Sequence, residues 1–465
     1  MPNPFPFIKD GLLGEVPINF YPAADSEKGI VLFPSPGLLE HCYLTDCTEI
    51  RGIYAWNNYL YVVAKRGSTG VLWRVDESGG FSELGTITTS ASGPVWMRNN
   101  PTQLCIVDGV SGYIYTPGTG SFVQITNLAF PGAAAMDYQD GYGIFIVPNS
   151  RQWFFSALND FSSLDAGDFY SKEGRPDYVI SILSDHREPW LLGEQSSEVW
   201  YNAGGDNTSP NSPTFARTSG GLLEMGCGAV KSAVNFDNTI VWLSDKGQIL
   251  RGQGYNAIII STDKFGREIA GYSQFSDAVA FAYTDLEHEF YQITFPSADK
   301  TWVIDAKTKL FHKKQSWKSG GGFGRHRANC YAFLNNTHYV GDYINGKIYI
   351  MNVSHLDDDG EEIQRVLYST EISSMKRIFF PSVQIEFTPG VGLISGLDPK
   401  AMLDYSADGG NTWSSELWRS VGLIGEYGAR AIWNRLGSDF RRMYRITVSD
   451  PVIWRVLGIK WWGKK

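Results

Sequence analysis

Long apolar runs are missing from this sequence. No stretch approaches the roughly 20 residues that cross a bilayer, and the opening MPNPFPFIKDGLLG has no basic segment followed by an apolar core. A soluble protein made in a cytoplasm, with no membrane partner, is the expectation. Cysteine is scarce as well. The five present (Cys42, Cys47, Cys105, Cys227 and Cys330) are odd in number and scattered, with no C-x-x-C pair and no His at zinc spacing. That excludes a disulfide framework and a zinc module and leaves free, buried thiols; the seven histidines never fall at metal-ligand spacing. Positive charge is in short supply: a formal net charge of −9 argues against a protein that coats nucleic acid, which needs a basic surface. Helical patterning is also absent. Gly or Pro interrupts the candidate apolar stripes, and Asp285–Phe290 reads as a single helical turn or a loop between repeats.

What the sequence does hold is turn-forming and aromatic residues. Fifty glycines, 24 tyrosines and 15 tryptophans suit many short strands joined by tight turns, because rings pack on pleated half-buried surfaces and Gly supplies positive φ. Paired runs around a Gly, Asp or Asn turn recur: Leu60–Val63 with Val71–Val75, Leu104–Asp108 with Tyr113–Tyr115, Trp190–Gly193 with Glu198–Tyr201, Val241–Ser244 with Gln248–Arg251. YQITFPSADKTWVIDAKTKLFHKK from Tyr291 and HYVGDYINGKIYIMN from His338 continue the series. The spacing, roughly 40 to 50 residues between 55 and 355, is that of four-stranded propeller blades, and six or seven blades fit. Two tandem sandwiches are the competing all-β arrangement, which the even spacing disfavours.

After Ile363 the texture changes to longer alternating strands, among them SVQIEFTPG, MLDYSADGGNTWSS and RRMYRITVSD. The expectation is an all-β chain: an N-terminal arm with blade-closing or sandwich-pairing strands over 1–50, a β-propeller over 51–365 and a C-terminal β-sandwich over 366–465. Charge divides in the same way. From residue 366 there are 13 Lys and Arg against 9 Asp and Glu, near +4, which leaves the first 365 residues near −13.

Several stretches invite a chemical reading. YSADGGNTW at Tyr405–Trp413 fits the Asp-box pattern of sialidase propellers, which makes a carbohydrate-binding or sialidase-like propeller the alternative function. The motif itself closes a turn: Ser406, Asp408 and Gly410 tie the backbone and Trp413 packs beneath, with no catalytic group among them. Asp357–Glu362 (DDDGEE) lacks the alternating spacing of a calcium loop and reads as an acidic hairpin tip. Gly320–Arg327 (GGGFGRHR) has no strand-to-helix context for a nucleotide and reads as a flexible interblade loop, with Arg325 and Arg327 as candidates for contact with a charged partner. Asp185–Glu188 (DHRE) has no nucleophile fixed beside its His and reads as a salt-bridged turn. Arg430, Arg435, Arg441, Arg442 and Arg445, interleaved with Trp433, Phe440 and Tyr444, suit a protein interface or a solvated sandwich face better than DNA.

Four stretches together resemble the packaged-DNA stabilisation, or tail-hub (nozzle), proteins of short-tailed bacteriophages. They are Asn19–Pro22 followed by Leu32–Leu38; SDHREPWLLGEQSSEVWYN over Ser184–Asn202; His338–Tyr349; and the run from Tyr405–Trp413 through Trp433–Gly437 to Val448–Pro451. The resemblance spans nearly the whole chain. It implies a non-enzymatic virion component, assembled in the host cytoplasm, that forms a hexameric ring below the portal and adaptor rings. Such a ring closes the DNA exit channel and carries the tail needle or tip and the tailspikes or fibres. It implies no cofactor, no metal and no catalytic residue, and it puts packaged duplex DNA in the lumen without sequence-specific binding. An acidic large domain lets DNA slide past, since each neutralised phosphate strengthens binding, while the basic C-terminal domain suits an acidic partner; Arg441 and Arg442 are the residues to reverse.

Overall fold

The computed structural model describes the chain apart from residues 1, 2, 6, 7, 10, 11, 14, 15, 26–28, 210, 319, 391, 394, 395, 397 and 465. For 3–5, 8, 9, 12, 13, 24, 25, 29, 30 and 462–464 it describes the backbone alone. The start of the expected 1–50 arm therefore lies partly outside the described residues. By its contacts the chain divides into residues 40–299 with 327–350, and residues 1–39, 300–326 and 351–465.

The fold is all-β, and its propeller has seven blades. The first five are four-stranded antiparallel sheets, each formed by consecutive strands: Glu49–Ile87, Trp96–Gln124, Ala135–Ser171, Val179–Leu223 and Val234–Ile259. The hairpin Val279–Asp285 with His288–Phe295 and the hairpin Lys300–Asp305 with Phe311–Lys313 supply the sixth. The seventh joins Ala328–Leu334, Thr337–Asp342 and Lys347–Asn352 to Gly37–Tyr43, taken from far earlier in the chain. Within the first unit this closure is visible atom by atom: Leu44 N donates to Gly346 O at 2.9 Å, Lys347 pairs with Glu40 at 2.7 Å, and the His41 ring meets the edge of Tyr339 at 4.9 Å. The innermost strands of successive blades touch in sequence, and that of the seventh touches that of the first.

One turn recurs at the end of the innermost strands. In six of the seven blades the first hairpin closes on two residues that both have positive φ: Asn57–Asn58, Asp140–Gly141, His186–Arg187, Asp237–Asn238, Leu286–Glu287 and Asn335–Asn336. Such turns match the right-handed twist of the strands they join, and Asn, Asp and Gly tolerate the left-handed region best. Asp285–Phe290 is accordingly a hairpin turn, correcting the helical-turn and loop readings: cross-strand pairing of Asp285 with His288 overrides the helical preference of Leu and Glu.

A helix does occur, at Asp263–Ala270. Thr262 caps it by accepting from Phe265 N, and Phe265 and Ile269, one turn apart, bury its inner face. Two apolar anchors over eight residues, with Gly266 between them, are too short a stripe to stand out in the sequence.

In the other unit, a ten-stranded assembly centres on Ile372–Phe387, a strand of 16 residues. Its first half pairs with Ser438–Val448 and its second half with Ala431–Asn434 and Val456–Lys464. A register break between Phe379 and Ser382 marks where a strand passes from one pairing set to another, the usual way a sandwich turns a corner. Val383, Ile385, Trp433, Tyr444, Ile446 and Trp454 fill the core together with Phe20 and Leu32. Those two come from Phe20–Asp25 and Gly29–Pro34, which lengthen the same assembly.

Asn19 fixes how that N-terminal segment enters. It is buried with φ of 59°; its amide donates to Gln315 O and Gln364 O at 2.8 Å each and its carbonyl oxygen accepts from Gln315 N at 2.8 Å. Replacing Asn19 with Ala removes these three hydrogen bonds of a buried side chain and puts a residue that tolerates the left-handed region less well in its place. A loss of about 3 kcal/mol in unfolding free energy is expected by urea denaturation.

Candidate partner interface

The turn at Tyr405–Ser414 is built by side chains bonding to backbone. Ser406 Oγ donates to Asp408 Oδ1 at 2.7 Å and accepts from Gly410 N at 2.9 Å; Asp408 accepts from Thr412 N and Oγ1 at 2.9 and 2.7 Å. Gly409 and Gly410 supply the positive φ values of 77° and 95°. These hydrogen bonds, those from Thr412 first, hold the Asp408 carboxyl well below the usual carboxylate range. Trp413 stands against Arg445, whose guanidinium lies 4.4 Å from the ring centroid. Arg445 in turn grips the buried carboxylate of Asp404 on the neighbouring strand.

The arginines divide by strand alternation. Arg442 points inward and is 3% exposed, layered between Tyr405 and Phe380 at 4.1 and 4.8 Å, with one N–H to Leu436 O at 3.0 Å. Arg445 is the partly covered partner of Asp404 just described. Arg430, Arg435 and Arg441 are exposed, Arg435 at a left-handed position (φ 60°). In the propeller unit, Arg327 is half-buried beside Asp342 and Tyr349, its N–H reaching the Tyr349 hydroxyl at 3.2 Å. Arg325 is half-buried in the strand Phe323–Arg325 of the other unit. The structure thus gathers Arg441, Arg442 and Arg445 on one strand and keeps Arg325 and Arg327 elsewhere.

The stretch Ser184–Asn202 is held by a buried polar knot. Asp177 accepts from Gln195 N at 2.8 Å, from Ser196 N at 3.1 Å and from Ser196 Oγ at 2.9 Å, and it pairs with the buried Lys172. Glu198, fully buried, accepts from Glu173 N and Gly174 N at 3.0 and 2.5 Å and from the Trp200 indole at 3.1 Å. Both carboxylates are consumed in fixing a loop, which explains why acids and serines sit at those positions in a strand pair that otherwise buries Trp190, Leu191, Leu192 and Val199.

At the propeller axis, Lys231 from the start of the fifth blade donates to Val95 O at the start of the second, 3.0 Å away, and lies 4.5 Å from the Trp96 ring. Blades two and five are not neighbours in a seven-membered circle, so this contact crosses the axis. Beside it Arg98 bonds Asp137 at 2.5 Å, and Asp137 accepts from Ser184 N at 2.5 Å, linking blades two, three and four. Burial, and then the nearby Arg98, bring the Lys231 ammonium down to about 7.

Two domain profiles of one family match this chain: bacteriophage P22 Gp10, beta-propeller, over residues 15–355, and bacteriophage P22 Gp10, beta-sandwich, over residues 364–460. The chain belongs to the P22 Gp10 family. It is a structural tail protein of a phage, a virion component from a family that is not one of enzymes. No curated protein sequence matches it. Solved structures with similar strand arrangements include virginiamycin B lyase from Staphylococcus aureus (9% identity, TM-score 0.46, covering 68% of this chain and 99% of that one). PorZ from Porphyromonas gingivalis (10%, 0.42, 74% and 44%) and the Pan2 WD40 domain from Neurospora crassa (8%, 0.43, 68% and 94%) are two others. Nothing of their activities carries over. Among the described residues, no helix is long and apolar enough to cross a membrane and no His, Cys, Asp and Glu cluster suits a metal.

For this Gp10-family sandwich, sequence reading misses Met375, Lys376, Arg377 and Phe379. They are exposed around a register break in Ile372–Phe387, where pairing jumps from Ser373 to Ile378. No periodicity announces such a bulge; a mostly polar and basic run broken by a single Met inside an otherwise alternating strand (SSMKR) is its trace.

Two outcomes follow for the sandwich. Because the Asp408 carboxyl is depressed, its contribution is complete above its ordinary value near about 4 and is lost as pH falls through the folded value. Asp408→Asn should therefore lower the unfolding temperature at pH 7, with the gap to wild type closing as the pH is taken down. Arg445→Ala leaves the buried Asp404 unpaired and should cost about 3 kcal/mol, whereas the exposed Arg441→Ala should stay within about 0.5 kcal/mol of wild type, both read by chemical denaturation.

Proposed function

We propose that this chain is the subunit of a tail hub: a cyclic homo-oligomer, a hexamer, that sits below the portal and adaptor rings, retains the packaged genome and carries the tail needle or tip and the tailspikes or fibres. The observation that carries this reading is the match to one phage tail family across both of its domains, 15–355 and 364–460. The axial contact of Lys231 with Val95 supports a particular route for the DNA. A propeller crossed by side chains at its axis offers no path to a duplex, so the lumen lies between copies and not within one. The net-acidic composition, −9 overall, suits a lumen that duplex DNA traverses without adhering.

Assembly takes place in the host cytoplasm, and the hub contributes fit and closure without chemistry. Particles produced without this chain should fill with DNA and then lose it. Nuclease-protected genome per capsid should fall sharply and recover when purified protein is added back before nuclease. Full protection in its absence would remove the retention role.

A further inference from the structure

Two charged features of the sandwich-bearing unit hold side chains that make no ion pair among the described residues. Opposite Phe440, pairing of Ile372–Phe387 with Ser438–Val448 passes from Ser373↔Arg441 to Ile378↔Asp439, so Ser374–Arg377 stand out as a bulge. Met375 is wholly exposed, Phe379 and Phe440 are each 52% exposed, and Lys376, Arg377 and Arg441 surround them. Among the described residues, Lys376 and Arg441 make no ion pair, and Arg377 meets only the Phe440 ring, at 5.7 Å. The second feature is the hairpin Asp357–Asp358 with Glu361–Glu362. Its turn, Asp359–Gly360, has φ of 58° and 83° and is pinned by Gly360 N to Asp357 Oδ1 at 3.0 Å. Glu361 and Glu362 are exposed, again without an ion pair among the described residues.

We propose that the acidic hairpin of one copy seats on the basic bulge of the next, joining copies head to tail. The inference rests on the hub reading and names the surfaces through which the ring forms. Two different patches on one chain make a heterologous contact, which closes into a ring when the rotation per step divides the circle. The composition favours a protein occupant over DNA: Met, Phe and Arg together mark protein interfaces, with cations steering the approach and rings supplying the buried area. A phosphate backbone would gain from the cations but leave Met375, Phe379 and Phe440 in water.

The test uses the full chain and follows its assembly against concentration by mass photometry. Four forms are compared: wild type, E361K/E362K, K376E/R377E and the combined quadruple reversal. Each single-sided reversal should raise the concentration for half-assembly by about ten- to a hundredfold, and the quadruple should return it to within a few-fold of wild type. Phe440→Ser should weaken assembly at unchanged charge. Every substituted position is exposed, and unchanged unfolding temperatures confirm that folding is intact; a variant that fails this control is replaced by K376Q/R377Q. A wild type that stays monomeric at every concentration overturns the hub reading and this inference with it. A ring that assembles normally despite either reversal overturns the inference alone, as does a quadruple variant that fails to recover. Loss of duplex-DNA binding in K376E/R377E with assembly unchanged assigns the bulge to DNA and overturns it too.

Discussion

A propeller blade buries both faces of its sheet against its two neighbours, so the first and last blades must find each other or leave two apolar faces in water. In this chain that requirement is met by Gly37–Tyr43, which completes the sheet of Ala328–Asn352. The strand lends Cys42 to the same core as Ile50, Val62, Trp73 and Ile348. Burial of such a cluster is worth far more than any single polar contact at the seam, and the hydrogen bond of Leu44 with Gly346 then sets the register. The contact of Lys231 with Val95 across the axis depends on that closed circle.

Much of this was legible in the residues. Hairpins announce themselves by alternation and by turns such as Asn57–Asn58 and Asn335–Asn336, whose local chemistry agrees with their tertiary setting. The all-β class, the propeller and the sandwich are as expected, and the blade number settles at the upper of the two counts. What escaped depends on long-range pairing. Leu286–Glu287 has nothing in its own sequence to favour a left-handed turn; the strands on either side impose it. The short helix at Asp263–Ala270 has too few apolar positions to register.

The same divide runs through the candidate interface. Alternation around Arg441 and Arg442 says that one faces in and the other out, but not which; the packing of Arg442 between Tyr405 and Phe380 decides it. Likewise Asp404, 41 positions from Arg445, is invisible as its partner until the two strands are paired. Ser406 and Asp408, by contrast, act within a few residues of themselves, and their role could be read directly from one short motif.

The closing strand also has a consequence in time. Gly37–Tyr43 leaves the ribosome long before Ala328–Asn352 exists, so throughout synthesis one edge of the circle has no mate and its apolar side chains have no cover. Contacts of such sequence separation are slow to form, and an unmated strand is what a neighbouring nascent chain would pair with. In a host making many copies at once, yield should therefore be governed by how quickly each Gly37–Tyr43 meets the Ala328–Asn352 of its own chain.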